Sequence, residues 1–112
     1  MNFPKALAAA LSVMALLIAP NALAQAYPAK PVRWVVGYPA GGGTDALARL
    51  IAPKLQEAIG QPVVVENKPG AGGNIGANEV AKAAPDGHTL LVGYNGPLAI
   101  NVALFDKMPY DP

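Results

Sequence analysis

Val32-Arg33-Trp34-Val35-Val36-Gly37 runs directly into Tyr38-Pro39-Ala40-Gly41-Gly42-Gly43 and then Thr44-Asp45. The first part is β-branched and almost entirely apolar, as a strand covered on both faces is. The second is a glycine-rich turn. Thr44 suits the N-cap of a helix, and Asp45 sits where a carboxylate complements the helix dipole. Strand, glycine turn and helix start in one stretch predict the opening of an α/β domain.

Working outward, the predicted helix runs to about Ile59. Leu47, Leu50, Ile51, Leu55 and Ile59 recur every three or four residues, so they predict one apolar stripe facing the core. Pro53 is the misfit and predicts a kink or a split. Gly60 is a C-terminal stop. Pro62–Glu66 reads as a second strand and Asn67–Gly73 as a second glycine-rich turn. Asn74 can cap a second helix over about Ile75–Ala84. Pro85-Asp86-Gly87 is a tight turn, Thr89–Gly93 a third strand, and Tyr94-Asn95-Gly96 a third turn. Pro97–Leu104 predicts a short helix with proline at its start. Phe105–Pro112 reads as a crossing segment. Upstream, Pro28 and Pro31 keep the lead-in extended.

Strand, helix, strand, helix, strand, helix implies a parallel sheet with helices on both faces. Ligands of such sheets lie beyond the carboxyl ends of the strands. All three turns there carry glycine, which allows close backbone approach, and helix N-termini beneath them offer N–H groups to an anion. Thr44 and Asn74 can cap their helices, donate to a ligand, or both. Asn95 is a polar side chain at the third strand end. Asp45 reads as a helix-start carboxylate rather than a direct anion ligand.

Catalysis fares poorly. Beyond residue 24 there is no Ser and no Cys, so the two commonest nucleophiles are missing. His88, the single His, starts a strand and reads as a surface or edge residue. Glu66 and Glu79 are far apart in sequence. No residue cluster has metal-ligand spacing, and no cofactor is expected. Gly70-Ala71-Gly72-Gly73-Asn74-Ile75 begins like a dinucleotide fingerprint, but Ile75 stands at its third glycine and the turn follows the second strand. No phosphate loop is present.

The N-terminus carries Lys5, an uncharged run over Ala6–Ala19, then Pro20, Asn21 and Ala22-Leu23-Ala24. This is the pattern of a cleavable export signal, with the cut expected after Ala24 and Ala26 as a second legal site. A membrane anchor needs roughly 20 apolar residues, and the run is shorter. No Cys follows for lipid attachment. Losing Lys5 leaves residues 25–112 close to neutral, which argues against nucleic acid or an anionic membrane surface as partner. An exported domain this small buries only about 60–65% of its unfolded surface and has no disulfide to help.

The motifs in their order resemble a known family. They are Tyr27-Pro28-Ala29-Lys30-Pro31-Val32, Pro39–Asp45, Gly60–Gly76, Ala84–Leu91 and Tyr110-Asp111-Pro112. The chain is similar to the Bug family, the extracytoplasmic solute-binding receptors of tripartite tricarboxylate transporters (TctC-like). Gly60–Gly76 is the most specific part. The resemblance implies a two-domain flytrap of periplasmic-binding-protein type (type II), with a small carboxylate between the domains. It places ligand loops at Tyr38–Asp45, Asn67–Asn74 and Tyr94–Pro97. The candidate ligand-binding residues are therefore Tyr38, Pro39, Gly41, Gly42, Gly43, Thr44, Asp45, Asn67, Gly72, Gly73, Asn74, Asn95 and Gly96. Departures from the family pattern are Tyr38 for a common Phe, Ala40 for Pro, and His88 for Tyr.

The resemblance covers only an N-terminal portion. The expected organisation is a signal peptide at 1–24 and an incomplete first domain at 25–112, with the second domain absent. The expected role is a monomeric periplasmic receptor, not an enzyme. Its partners would be a small organic acid and membrane transporter subunits. A sensory partner of a membrane kinase, or an inactive remnant, are the competing readings.

Overall fold

The computed structural model describes residues 26–112; the export signal expected at 1–24 lies outside them. Three strands, β1 (Val32–Val36), β2 (Val63–Asn67) and β3 (Thr89–Val92), form one parallel sheet in the order β2-β1-β3. Helix α1 (Gly43–Ile59) joins β1 to β2, and α2 (Asn74–Ala81) follows β2 and leads to β3. After β3 the chain turns through Gly96–Ile100 into the short α3 (Asn101–Leu104).

Alternation along β1 sends its side chains to opposite faces. Trp34 faces the side of the sheet that carries α1, where it lines one groove with Leu47, Ala48 and Ile51. Arg33 points the other way and pairs with Glu79 of α2 at 2.9 Å. The helices therefore cover both faces, as the strand pattern predicts. Arg33 also bonds Glu66 through Nε at 3.0 Å and Nη2 at 2.6 Å, and Lys68 reaches Glu79 at 3.4 Å. Glu66 and Glu79 thus meet across an arginine, which holds the Glu66 carboxyl below its usual range by hydrogen bonding. They form a structural ion-pair network rather than an acid–base pair.

Several local expectations are corrected. The helix starts at Gly43 with Gly42 as N-cap and no side-chain cap, so Thr44 does not cap it. The Asp45 carboxylate accepts the Gly41 N–H from inside the first turn instead. Helix α1 continues through Pro53 as one element. Pro53 and the Arg49 carbonyl partner it denies lie on an exposed part of the helix, where water can serve the carbonyl.

The predicted apolar stripe holds only in part. Leu55 and Ile59 are half-buried, but Leu47, Leu50 and Ile51 are 60%, 72% and 50% exposed, while Asp45, Ala48 and Ala52 are buried. Small residues let the helix sit close on the sheet, and this decides which face turns inward. The second helix ends at Ala81 rather than about Ala84, ahead of the turn before His88. The buried apolar side chains among the described residues are Val32, Val35, Val36, Ala48, Ala52, Ala77 and Pro97.

Gly37 and Gly76 explain how α2 sits so tightly on β1. A Cβ on Gly76 would lie 3.0 Å from the Gly37 Cα and 3.1 Å from the Lys68 carbonyl. Backbone meets backbone there, with no flexible side chain to give way.

Candidate functional site

The chain leaves the carboxyl end of β1 through α1 to β2 on one side of it, and leaves β2 through α2 for β3 on the other side, so the strand order reverses at β1. This is a topological switch point, where open α/β sheets leave a crevice. The loops after β1, β2 and β3 meet there, and Tyr38 is their common partner. Its backbone carbonyl accepts from Asn67 Nδ2 at 3.0 Å. Its hydroxyl donates to the Gly72 carbonyl at 2.9 Å. Its ring stands 4.4 Å from the ring of Tyr94, and Gly73 and Gly96 both lie close against it.

The first loop is pinned from within by Asp45. Its carboxylate accepts from Gly41 N–H at 2.8 Å, Arg49 Nε at 3.0 Å and Asn67 Nδ2 at 2.9 Å. These bonds, the Gly41 N–H foremost, hold its carboxyl down to about 2. The side chain is 4% exposed. Asn67 is equally committed, because its Oδ1 accepts from Arg49 Nη2 at 2.9 Å. Asp45 and Asn67 therefore tie the first two loops together and leave the outward positions to Pro39, Gly42 and Gly43, all exposed, and to half-buried Thr44. The first-turn N–H groups of α1 have no intrahelical partner and carry the positive end of a helix of 17 residues.

The second loop is left-handed from Gly70 to Gly73, including Ala71 at φ 47°. A side chain at Gly73 would strike the Tyr38 ring, 3.1 Å from its hydroxyl oxygen. Asn74 is buried, and its Oδ1 accepts from Asn101 Nδ2 at 2.6 Å, with the Tyr110 hydroxyl at 3.0 Å. Its Nδ2 faces the Met108 sulfur at 3.5 Å. Helix α2 begins at Asn74 with Gly73 as N-cap and no side-chain cap, so Asn74 is a strut behind the loop rather than a cap. In the third loop Gly96 is buried against Tyr38 while Asn95 is exposed.

Asn101, Tyr110 and Arg49 are the residues that sequence reasoning missed. Asn101 Nδ2 donates to the Gly72 carbonyl at 3.0 Å, and Tyr110 places its hydroxyl 2.7 Å from the Pro97 carbonyl. Burial pushes both the Tyr38 and Tyr110 phenols upward, so both remain protonated donors at neutral pH. The one available signal was Asn101 as the single polar residue within the otherwise apolar predicted helix Pro97–Leu104.

His88 lies at the other end of the sheet. Its Nε2 accepts from Ala29 N–H at 3.2 Å and its ring stands edge-on to Tyr27 at 5.0 Å. Its side chain is only 12% exposed, so it is a packed anchor for the lead-in rather than a surface residue. A cavity of about 290 Å³ lies beside it, lined by Tyr27, Lys30, Asp86 and others, remote from the three loops. A larger groove of about 460 Å³ between α1 and β3 abuts them at Thr44 and Tyr94. Among the described residues no group of His, Cys, Asp or Glu could hold a metal ion, and no helix is long and apolar enough to cross a membrane.

A parallel sheet with three loops converging at its carboxyl end is the arrangement of one lobe of the periplasmic-binding-protein class. Solved structures agree. A periplasmic transporter superposes with a TM-score of 0.75 at 49% identity, over 78% of this chain and 29% of that one. MatC from Rhodopseudomonas palustris, solved with bound malate, gives 0.72 at 49% identity over 75% and 29%. An R. palustris protein solved with adipate gives 0.74 at 45% over 77% and 29%. The family model of the tripartite tricarboxylate transporter family receptor (TctC) matches residues 47–112, and the chain belongs to that family. Among curated relatives, protein BugT of Bordetella pertussis is 48% identical over 83% of this chain and 29% of its own length. The chain thus spans under a third of the relatives it matches.

Proposed function

We propose that this chain is the N-terminal part of the first domain of an extracytoplasmic receptor. The receptor captures a small carboxylate for a tripartite tricarboxylate-type transporter. Three glycine loops meeting at Tyr38 over the N-terminus of α1 carry this reading. An anion there would meet oriented backbone N–H groups and the positive end of the helix. The malate and adipate in two related structures support the same class of solute.

The reading includes cleavage of the signal near Ala24, a periplasmic location and no catalytic activity. It also includes a monomeric receptor, membrane transporter subunits as partners, and neither cofactor nor nucleic acid. Titration calorimetry of the receptor continued through its second domain, against an organic-acid panel, tests it. Heat with at least one dicarboxylate, and none with a matched neutral diol, is the expected outcome. A panel that gives no heat throughout counts against the reading.

A further inference from the structure

We propose that Tyr110 is a positioning residue whose single hydroxyl proton couples the second and third loops to each other and to the segment following α3. The inference rests on the reading of these loops as solute-holding. A phenol has one proton, yet Tyr110 faces two acceptors, the Pro97 carbonyl at 2.7 Å and Asn74 Oδ1 at 3.0 Å.

Rotating the Asn74 amide does not resolve the conflict. Asn101 donates to the Gly72 carbonyl at 3.0 Å, and the same Nδ2 donates to Asn74 Oδ1 at 2.6 Å. Turning Asn74 over would set donor against donor, so the network fixes its orientation. The Tyr110 proton therefore satisfies Pro97 in the third loop or Asn74 in the second, or divides itself poorly between them. A solute that shifts either loop changes which acceptor is better placed. Such a two-position element is the physical requirement for coupling between sites. Met108, two residues earlier, contacts the same Asn74 side chain, so this segment touches the second loop at two points.

Amide hydrogen exchange on the receptor continued through its second domain tests the proposal, read at Gly73 in the second loop and at Gly96 and Leu98 in the third. Tyr110→Phe keeps the ring and removes the proton. It is expected to speed exchange about fivefold in both loops, the loss of one hydrogen bond, while the β1–β2 ladder stays unchanged. Asn101→Ala, which breaks bonds to the second loop only, should speed that loop alone. Malate or adipate, used as probes, should slow both loops in the wild type and only one in Tyr110→Phe. Unchanged exchange in Tyr110→Phe overturns the proposal, and so does acceleration of both loops by Asn101→Ala. If neither probe affects the wild type while Tyr110→Phe still loosens both loops, the solute reading fails and the coupling stands.

Discussion

Asp45 is the residue on which the site's shape depends most. It joins the Gly41 N–H, Arg49 and Asn67 in one buried cluster. Its carboxyl is held at about 2, below the unfolded value near 3.8. A depressed carboxyl stabilises the fold above its unfolded value, and that contribution is lost as pH falls toward 2. Asp45→Asn should therefore lower the urea midpoint at pH 7, with the gap to wild type closing between pH 4 and 2. A gap that is constant with pH would contradict the assignment. Tyr38→Phe removes only the bond to the Gly72 carbonyl and is expected to cost about 1 kcal/mol by urea unfolding. The sequence places Asp45 at a helix start, and that much was legible. Its bond to Asn67 was not, because that contact depends on the register that sets Val36 beside Asn67.

At the scale of elements, strands and turns are legible because β-branched runs and glycine turns are local signals. Helix α1 is not, because two apolar faces compete. Leu47 and Leu50 mark one face, but Asp45, Ala48 and Ala52, with half-buried Leu55 and Ile59, mark the face that fits against the sheet. Leu50→Ala should consequently change stability by less than about 0.5 kcal/mol. Val35→Ala, at a fully buried position, should cost about 2 kcal/mol. Equal losses in chemical unfolding would restore the leucine face to the core. Gly76→Ala forces a methyl onto the Gly37 and Lys68 backbone and should cost about 1–3 kcal/mol, read as a lower melting temperature with α2 amides exchanging faster.

Across the whole molecule, the candidate site is built from positions far apart in sequence: Tyr38, Gly72, Gly96 and Tyr110. The glycine turns predicted where these loops would lie, since strand ends follow from the pattern, whereas the order β2-β1-β3 comes only from the fold. The struts behind them, Asn74, Asn101 and Tyr110, could not be read, because they arise only once α3 and the last segment fold back over the second loop. The central claim is that a carboxylate is held at the carboxyl end of the sheet. Two-dimensional NMR of the receptor continued through its second domain, during titration with malate or adipate, tests this most directly. The amides of Gly43, Thr44 and Gly96 should shift together while those of Lys30 and His88, at the opposite end, stay in place. Shifts gathered around Lys30 and His88, or no shifts with either acid, would contradict it.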